Sequence, residues 1–232
     1  MRCRLFVLLF CVVAACSTIP EGQRSTREAS GPPEVQLATV ESHARQFDEE
    51  EPERPAGSQE ELAASAYLVA HLTEAGYVSR LDAVPVRDLV RSTNVVALPP
   101  DGGDPAAVVV VAYDTAPGET PGGTSIGLWL EVARALRVLE PGHSIEFVAL
   151  GAENTSVGGG RLGSRRLVSQ LREEAESPQV FVIEGAGSAA GAGGDADEDT
   201  SGVFEAAGFE TTVVGGPARE AGATLLDLLG TL

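Results

Sequence analysis

The chain has no lysine, so its positive charge rests on arginine alone. With 16 basic residues against 34 acids, the formal net charge is −18. That excludes the electrostatic footprint of a nucleic-acid binder and of a protein that adheres to anionic membranes through its surface. Cysteine is equally confined: Cys3, Cys11 and Cys16 are the whole set. No disulfide framework, CxxC pair or cysteine zinc site is therefore available beyond residue 16. Histidine is limited to His43, His71 and His143. None of these lies at the carboxyl end of an expected strand, and His71 reads as a surface residue. What is present is 232 residues of 43% hydrophobic composition, enough for one domain with a sizeable core.

At the amino end, Arg2 and Arg4 precede an apolar run, Leu5–Ala15. The run falls well short of the ~20 residues a membrane span needs and suits the core of a signal peptide over residues 1–15. It closes on Val13-Ala14-Ala15-Cys16, which resembles the bacterial lipobox. The resemblance implies a lipid on Cys16, attachment to the membrane through that lipid only, and, because Ser17 rather than an Asp follows, the outer membrane of a bacterial envelope. Residues 16–33 are rich in Ser, Gly and Pro and read as a tether. The domain proper is expected over 34–232.

A first helix is expected at Glu34–Phe47. Ser58 with Glu61 three residues on forms a capping-box pattern, opening a helix that Gly76 stops. Strands are expected at Tyr77–Val86, Thr93–Leu98, Ala106–Tyr113, Ser144–Leu150, Val180–Ile183 and Glu210–Val214. Helices are expected at Ile126–Leu139, Arg161–Ala175 and Ala223–Leu229. The stretch 185–199 is acidic, low in complexity and reads as a loop. Strands alternating with helices of ten or more residues predict an α/β fold: three α/β/α layers around a mixed, mostly parallel sheet. Active sites of such sheets lie past the carboxyl ends of the strands. Those ends carry YDT at 113–115, GAEN at 151–154 and EGAG at 184–187.

Together with RPAGS at 54–58, STNVVAL at 92–98, LEVARAL at 130–136 and FVALGAEN at 147–154, these segments resemble the zinc-dependent exopeptidases of the bacterial leucyl aminopeptidase type. That family also includes glutamate carboxypeptidases and glutaminyl cyclases. The parallel runs from about Arg54 to Gly187. It implies a zinc-aminopeptidase-like domain, in which two zinc ions share a carboxylate, activate a water between them, and leave its proton to a neighbouring glutamate.

Residue by residue, the chain departs from that pattern. Ala112-Tyr113-Asp114 stands where the family has H-x-D, so the first histidine ligand is missing and Asp114 remains. PGGTSIG at 121–127 replaces a segment that carries the bridging aspartate. Glu153 keeps the general-base position, as a vestige, but Asn154 replaces the ligand glutamate beside it. Glu184 falls near the next acidic ligand. The late histidine is absent, with Arg219 at that position. Glu184 and Asp114 are thus the only family-site acids left besides Glu153, and no bound metal is expected unless Asp114, Glu153 and Glu184 jointly hold Mg²⁺ or Ca²⁺. Asp114 is otherwise expected to cap the turn that follows it.

Gly123-Thr124-Ser125-Ile126-Gly127 also matches the G-x-S-x-G nucleophile elbow, but a loop separates it from the preceding strand, and the acids between Ser125 and His143, Glu131 and Glu140, lie on or at the end of the next helix and not after later strands. Thr124 or Ser125 is expected to cap the next helix instead. The resemblance and the departures imply a cell-envelope protein with an exopeptidase-like fold that has lost catalysis and binds a peptide or protein. The alternatives are an active metallo-aminopeptidase with rearranged ligands, requiring zinc, and a decayed gene product.

Overall fold

The computed structural model describes residues 34–98, 103–116, 122–139, 144–174, 176–187 and 199–232. Cys16, the leader and tether, His143, and most of the acidic stretch 185–199 lie outside the described residues. In chain order the elements are α1 (Leu37–Arg45), α2 (Gln59–Glu74), β1 (Val78–Arg87), β2 (Val90–Leu98), β3 (Ala107–Ala112), α3 (Gly123–Leu139), β4 (Ile145–Leu150), α4 (Leu162–Glu173), β5 (Gln179–Ala186), α5 (Thr200–Ala207), β6 (Thr211–Gly216) and α6 (Ala218–Gly230). The six strands form one sheet in the order β1-β2-β4-β3-β5-β6. β4, β3, β5 and β6 run parallel, while β2 pairs antiparallel with both β1 and β4. This is the mixed, mostly parallel sheet the alternation predicts.

The unbroken valine run of β3 is explained by its two faces. Val109 and Val111 belong to a core shared with α1, α2, α3 and α6. Val108 and Val110 belong to a second core with α4 and α5, through Leu167, Leu171 and Phe204. Side chains alternate across a strand, so a strand covered on both sides needs apolar residues at every position. Trp129 of α3 is fully buried on the first face, and its indole nitrogen donates to the Val109 carbonyl at 3.0 Å. Among the described residues, no helix is long and apolar enough to cross a membrane.

Several boundaries differ from the sequence reading, each for a local reason. α1 does not run to Phe47 as an α-helix; it widens into a π-turn over Gln46–Glu50, and the Phe47 carbonyl accepts from the Arg54 guanidinium at 2.8 Å. α3 begins at Gly123, ahead of the expected Ile126. A Cβ at Gly127 would stand 2.5 Å from the Val40 carbonyl oxygen, so these glycines let α1 and α3 approach rather than mark a loop. Strand β5 reaches Ala186, so residues 185–186 belong to the sheet and not to a loop. Helix α5 was not expected; Asp199 caps its first turn by accepting from the Gly202 amide at 2.7 Å, and Gly208 closes it at φ 93°. α6 starts at Ala218, five residues ahead of the expected helix.

Candidate functional site

The parallel strands β3, β4 and β5 end at one edge of the sheet, which brings Asp114, Glu153, Asn154 and Glu184 into one neighbourhood. Asp114 follows β3 and is 3% exposed. Its carboxylate accepts from the backbone amides of Glu153 at 2.9 Å and Asn154 at 3.0 Å, so it ties the loop after β4 to the end of β3. Most of the turn that Asp114 is expected to cap, 117–121, lies outside the described residues. Asn154 completes the pairing by donating its side-chain amide to the Asp114 carbonyl at 2.8 Å. A glutamate there has no donor for that carbonyl when ionised, so the side-chain amide of Asn154 is what holds this loop to the end of β3.

Glu153 is 1% exposed. Its Oε1 accepts from the Ser164 amide, at the start of α4, at 2.6 Å. Its Oε2 accepts from the Thr200 hydroxyl, at the start of α5, at 3.0 Å. Both carboxylate oxygens are therefore held by the chain's own donors. These bonds favour the charged form, but burial outweighs them and lifts the Glu153 carboxyl to about 7, as burial does for Asp114, also to about 7. Glu184 on β5 is half-buried and hydrogen-bonds with Thr200 too; burial raises its carboxyl, with Asp199 nearby adding to the rise.

A further set of buried polar groups fixes this edge. Asn94 of β2 accepts from the Gly151 amide at 3.1 Å and donates to the Gly163 carbonyl at 3.0 Å, tying β2, the β4 end and α4 together. Gly163 permits this, since a Cβ there would lie 2.3 Å from the Gly151 oxygen. Only half of the expected capping box forms. Ser58 accepts from the Glu61 amide at 3.0 Å, but the Glu61 carboxylate passes the cap residue and binds the Gly57 amide and the Ser92 hydroxyl. Arg54 is fully buried. It donates from Nε to the Tyr113 carbonyl at 2.7 Å, from Nη1 to the Phe47 and Glu51 carbonyls, and its guanidinium lies 5.2 Å from the Phe47 ring centre. The sequence names Glu61 as a capping residue and carries Arg54 and Asn94 only inside motifs, so the buried bonding of all three is new. An asparagine inside the apolar run of β2 was the one available signal.

Other expected roles shift as well. Neither Thr124 nor Ser125 caps α3. The Gly123 amide donates to Asp48 at 3.0 Å, and Ser125 Oγ accepts from the Ala186 amide at 3.1 Å, joining α3 to the end of β5. Arg219 pairs with Glu34 at 3.0 Å on the surface. His71 is only partly exposed. Its ring lies 4.7 Å from that of His43 and 4.4 Å from that of Tyr67, and it pairs with Glu74 at 3.1 Å. His43 bonds the Tyr67 hydroxyl at 2.8 Å; burial, then His71, lowers its imidazole to about 4.

Beside Glu153 and Asn154 opens a cleft of about 810 Å³, walled by Pro55, Val86, Thr115, the 155–161 loop and Val203, among others. Among the described residues, the donor chemistry around it does not fit a zinc pair: no group of three or more His, Cys, Asp or Glu side chains is placed to hold a metal ion. That includes the Asp114–Glu153–Glu184 trio considered for Mg²⁺ or Ca²⁺; the Asp114 and Glu153 oxygens accept from protein donors.

No known family profile matches the chain, and no curated protein does. Solved structures do match in fold. A proposed Zn-dependent exopeptidase from Bacteroides vulgatus superposes with a TM-score of 0.69 at 15% identity, covering 87% of this chain and 98% of its own. A Zn-dependent exopeptidase from Parabacteroides distasonis gives 0.67 at 13% identity, over 87% and 100%. A glutaminyl cyclase from Fimbriiglobus ruber gives 0.66 at 14% identity, over 85% and 96%. The chain has the α/β fold of zinc-dependent exopeptidases and glutaminyl cyclases, in line with the resemblance carried by its strand-end motifs.

Proposed function

We propose that this chain is a non-catalytic relative of the zinc exopeptidases, a lipid-anchored protein of the bacterial envelope that uses the strand-end cleft to bind a peptide or protein. The observation that carries the reading is the state of Glu153. A general base must reach the proton it removes, whereas both oxygens of this carboxylate are engaged by Ser164 and Thr200 inside the fold. Asn154 supports the same reading, because a neutral amide is a poor zinc ligand and its NH₂ donates to the Asp114 carbonyl, holding the side chain within the loop. The N-terminal resemblance to a lipobox supports anchoring through Cys16.

The competing reading is an active, zinc-requiring aminopeptidase with rearranged ligands. The test is release of free amino acids from a panel of short peptides, with added zinc and with chelator. No release above buffer is expected under either condition. Release that chelator abolishes overturns the proposal.

A further inference from the structure

We propose that His43 and His71 form an acid-operated latch: protonation where α1 meets α2 releases α1 and, through the π-turn and Arg54, loosens one wall of the cleft. The inference rests on the cleft-binding reading and adds a control on that site. It starts from how little else holds α1. The helix has nine residues and buries only Val40 and Ala44. A helix this short depends on its tertiary contacts, so each polar contact counts. His43 supplies one, bonding the Tyr67 hydroxyl through Nδ1 at 2.8 Å. The His71 ring lies 4.7 Å away and edge-on, and the Tyr67 ring stands 4.4 Å from His71 and 5.3 Å from Phe47.

A charge on His43 is poorly received there. Burial disfavours it, and a proton on His71 places a like charge beside it. The acids that face it are engaged elsewhere. From α3, Glu131 is bound to Arg134 by two bonds of 2.7 Å and to the Gln36 amide at 2.8 Å. From α2, Glu74 pairs with His71 at 3.1 Å. In the π-turn, Asp48 accepts from the Gly123 amide, and Glu50 acts on Tyr67. On the α6 side, Arg219 pairs with Glu34 ahead of α1. Burial first and His71 second therefore hold the docked His43 imidazole at about 4, against the pull of Glu131 and Glu74.

The sign of the effect follows. Released from α2, His43 takes a proton near the ordinary imidazole value of about 6.5; docked, it does so only near 4. Release takes up a proton, so acidification between those values favours it. Asp48 and Glu51 act in the opposite direction, because burial raises both carboxyls and their protonation favours the docked form. The link to the cleft is continuous. α1 runs into the π-turn, and Arg54 Nη1 donates to the carbonyls of Phe47 and Glu51. The Arg54 amide donates to the Thr115 hydroxyl at 2.7 Å, and the Thr115 amide returns a bond to the Arg54 carbonyl at 3.1 Å. Thr115 and Pro55 line the cleft.

The experiment is hydrogen exchange of the full, detergent-solubilised chain between pH 7.5 and pH 5, read by mass spectrometry and corrected for intrinsic exchange chemistry. Opening of 37–50 is expected to rise roughly 30-fold on acidification, and 51–58 is expected to follow. Peptides from α4 are expected to show no such rise. His43→Gln keeps an acceptor for Tyr67 and removes the titration, so its α1 opening is expected to stay flat. An unchanged α1 in wild type, or an equal rise in His43→Gln or in α4, overturns the latch. A rise confined to 37–50 overturns its coupling to the cleft. Should His43→Gln fail to fold, the His43 imidazole proton signal of wild type decides: a midpoint near 4 supports the latch and one near 6.5 overturns it. The test uses no ligand, so its failure leaves the cleft-binding reading standing, whereas chelator-sensitive cleavage of a peptide overturns that reading alone.

Discussion

Arg54→Met is expected to lower the unfolding free energy by about 3–5 kcal/mol in urea titration. The side chain is fully buried, with its charge offset by Asp48, Asp114 and Glu51. Its donors serve the carbonyls of Tyr113, Phe47 and Glu51. These belong to the end of β3 and to the π-turn after α1, so one guanidinium joins the N-terminal helix layer to the strand edge that carries the site. Methionine fills much of the volume and keeps contact with Phe47 but supplies no donor. The nearby carboxylates then lose their buried cation as well. Arg54→Lys keeps the charge without the fork and is expected to cost about 2 kcal/mol. A loss below about 1 kcal/mol for Arg54→Met contradicts this role.

Stability is also expected to fall as pH rises from about 5 to about 8. Burial lifts Asp114, Glu146 and Glu153 to about 7 in the folded chain, from ordinary values near 4. The folded state therefore holds protons that the unfolded chain has released, and linkage makes stability decline with pH between those values. Below the unfolded range both states are protonated and the penalty is absent; above about 7 it is complete. Glu153→Gln isolates one of them. The amide oxygen still accepts from Ser164, and the amide NH₂ donates to Thr200, whose hydroxyl can turn. The variant is expected to match wild type near pH 5, exceed it in melting temperature at pH 8, and show a flatter profile. Greater stability of wild type at pH 8 than at pH 5, with Glu153→Gln less stable at pH 8, contradicts the burial assigned here.

The architecture was legible because it depends on patterns that are local. The doubly covered strand β3, the alternation of strands and helices, and the Ser58 cap all follow from spacing and residue type. The strand-end residues were legible by position, since β3, β4 and β5 run parallel and must end at one edge. Their orientation was not. Glu153 is engaged by amide and hydroxyl groups at the starts of α4 and α5, and the α5 donor, Thr200, follows a Gly- and Asp-rich stretch that carries no periodic signal. The capping-box glutamate Glu61 was misassigned because its preferred partner, Ser92, is 31 residues away. Arg54 was quoted as part of a motif, but its carbonyl partners come together only once the π-turn after α1 packs beside the end of β3.

The central claim is that the strand-end carboxylates serve the fold and not a metal. It is tested most directly by the zinc content of the purified, detergent-solubilised full chain after incubation with excess zinc and gel filtration, read by atomic emission. The account predicts well under one zinc per chain, with the same value for Glu153→Gln. One or two tightly held zinc ions per chain, lost in Glu153→Gln or Asp114→Asn, would contradict it.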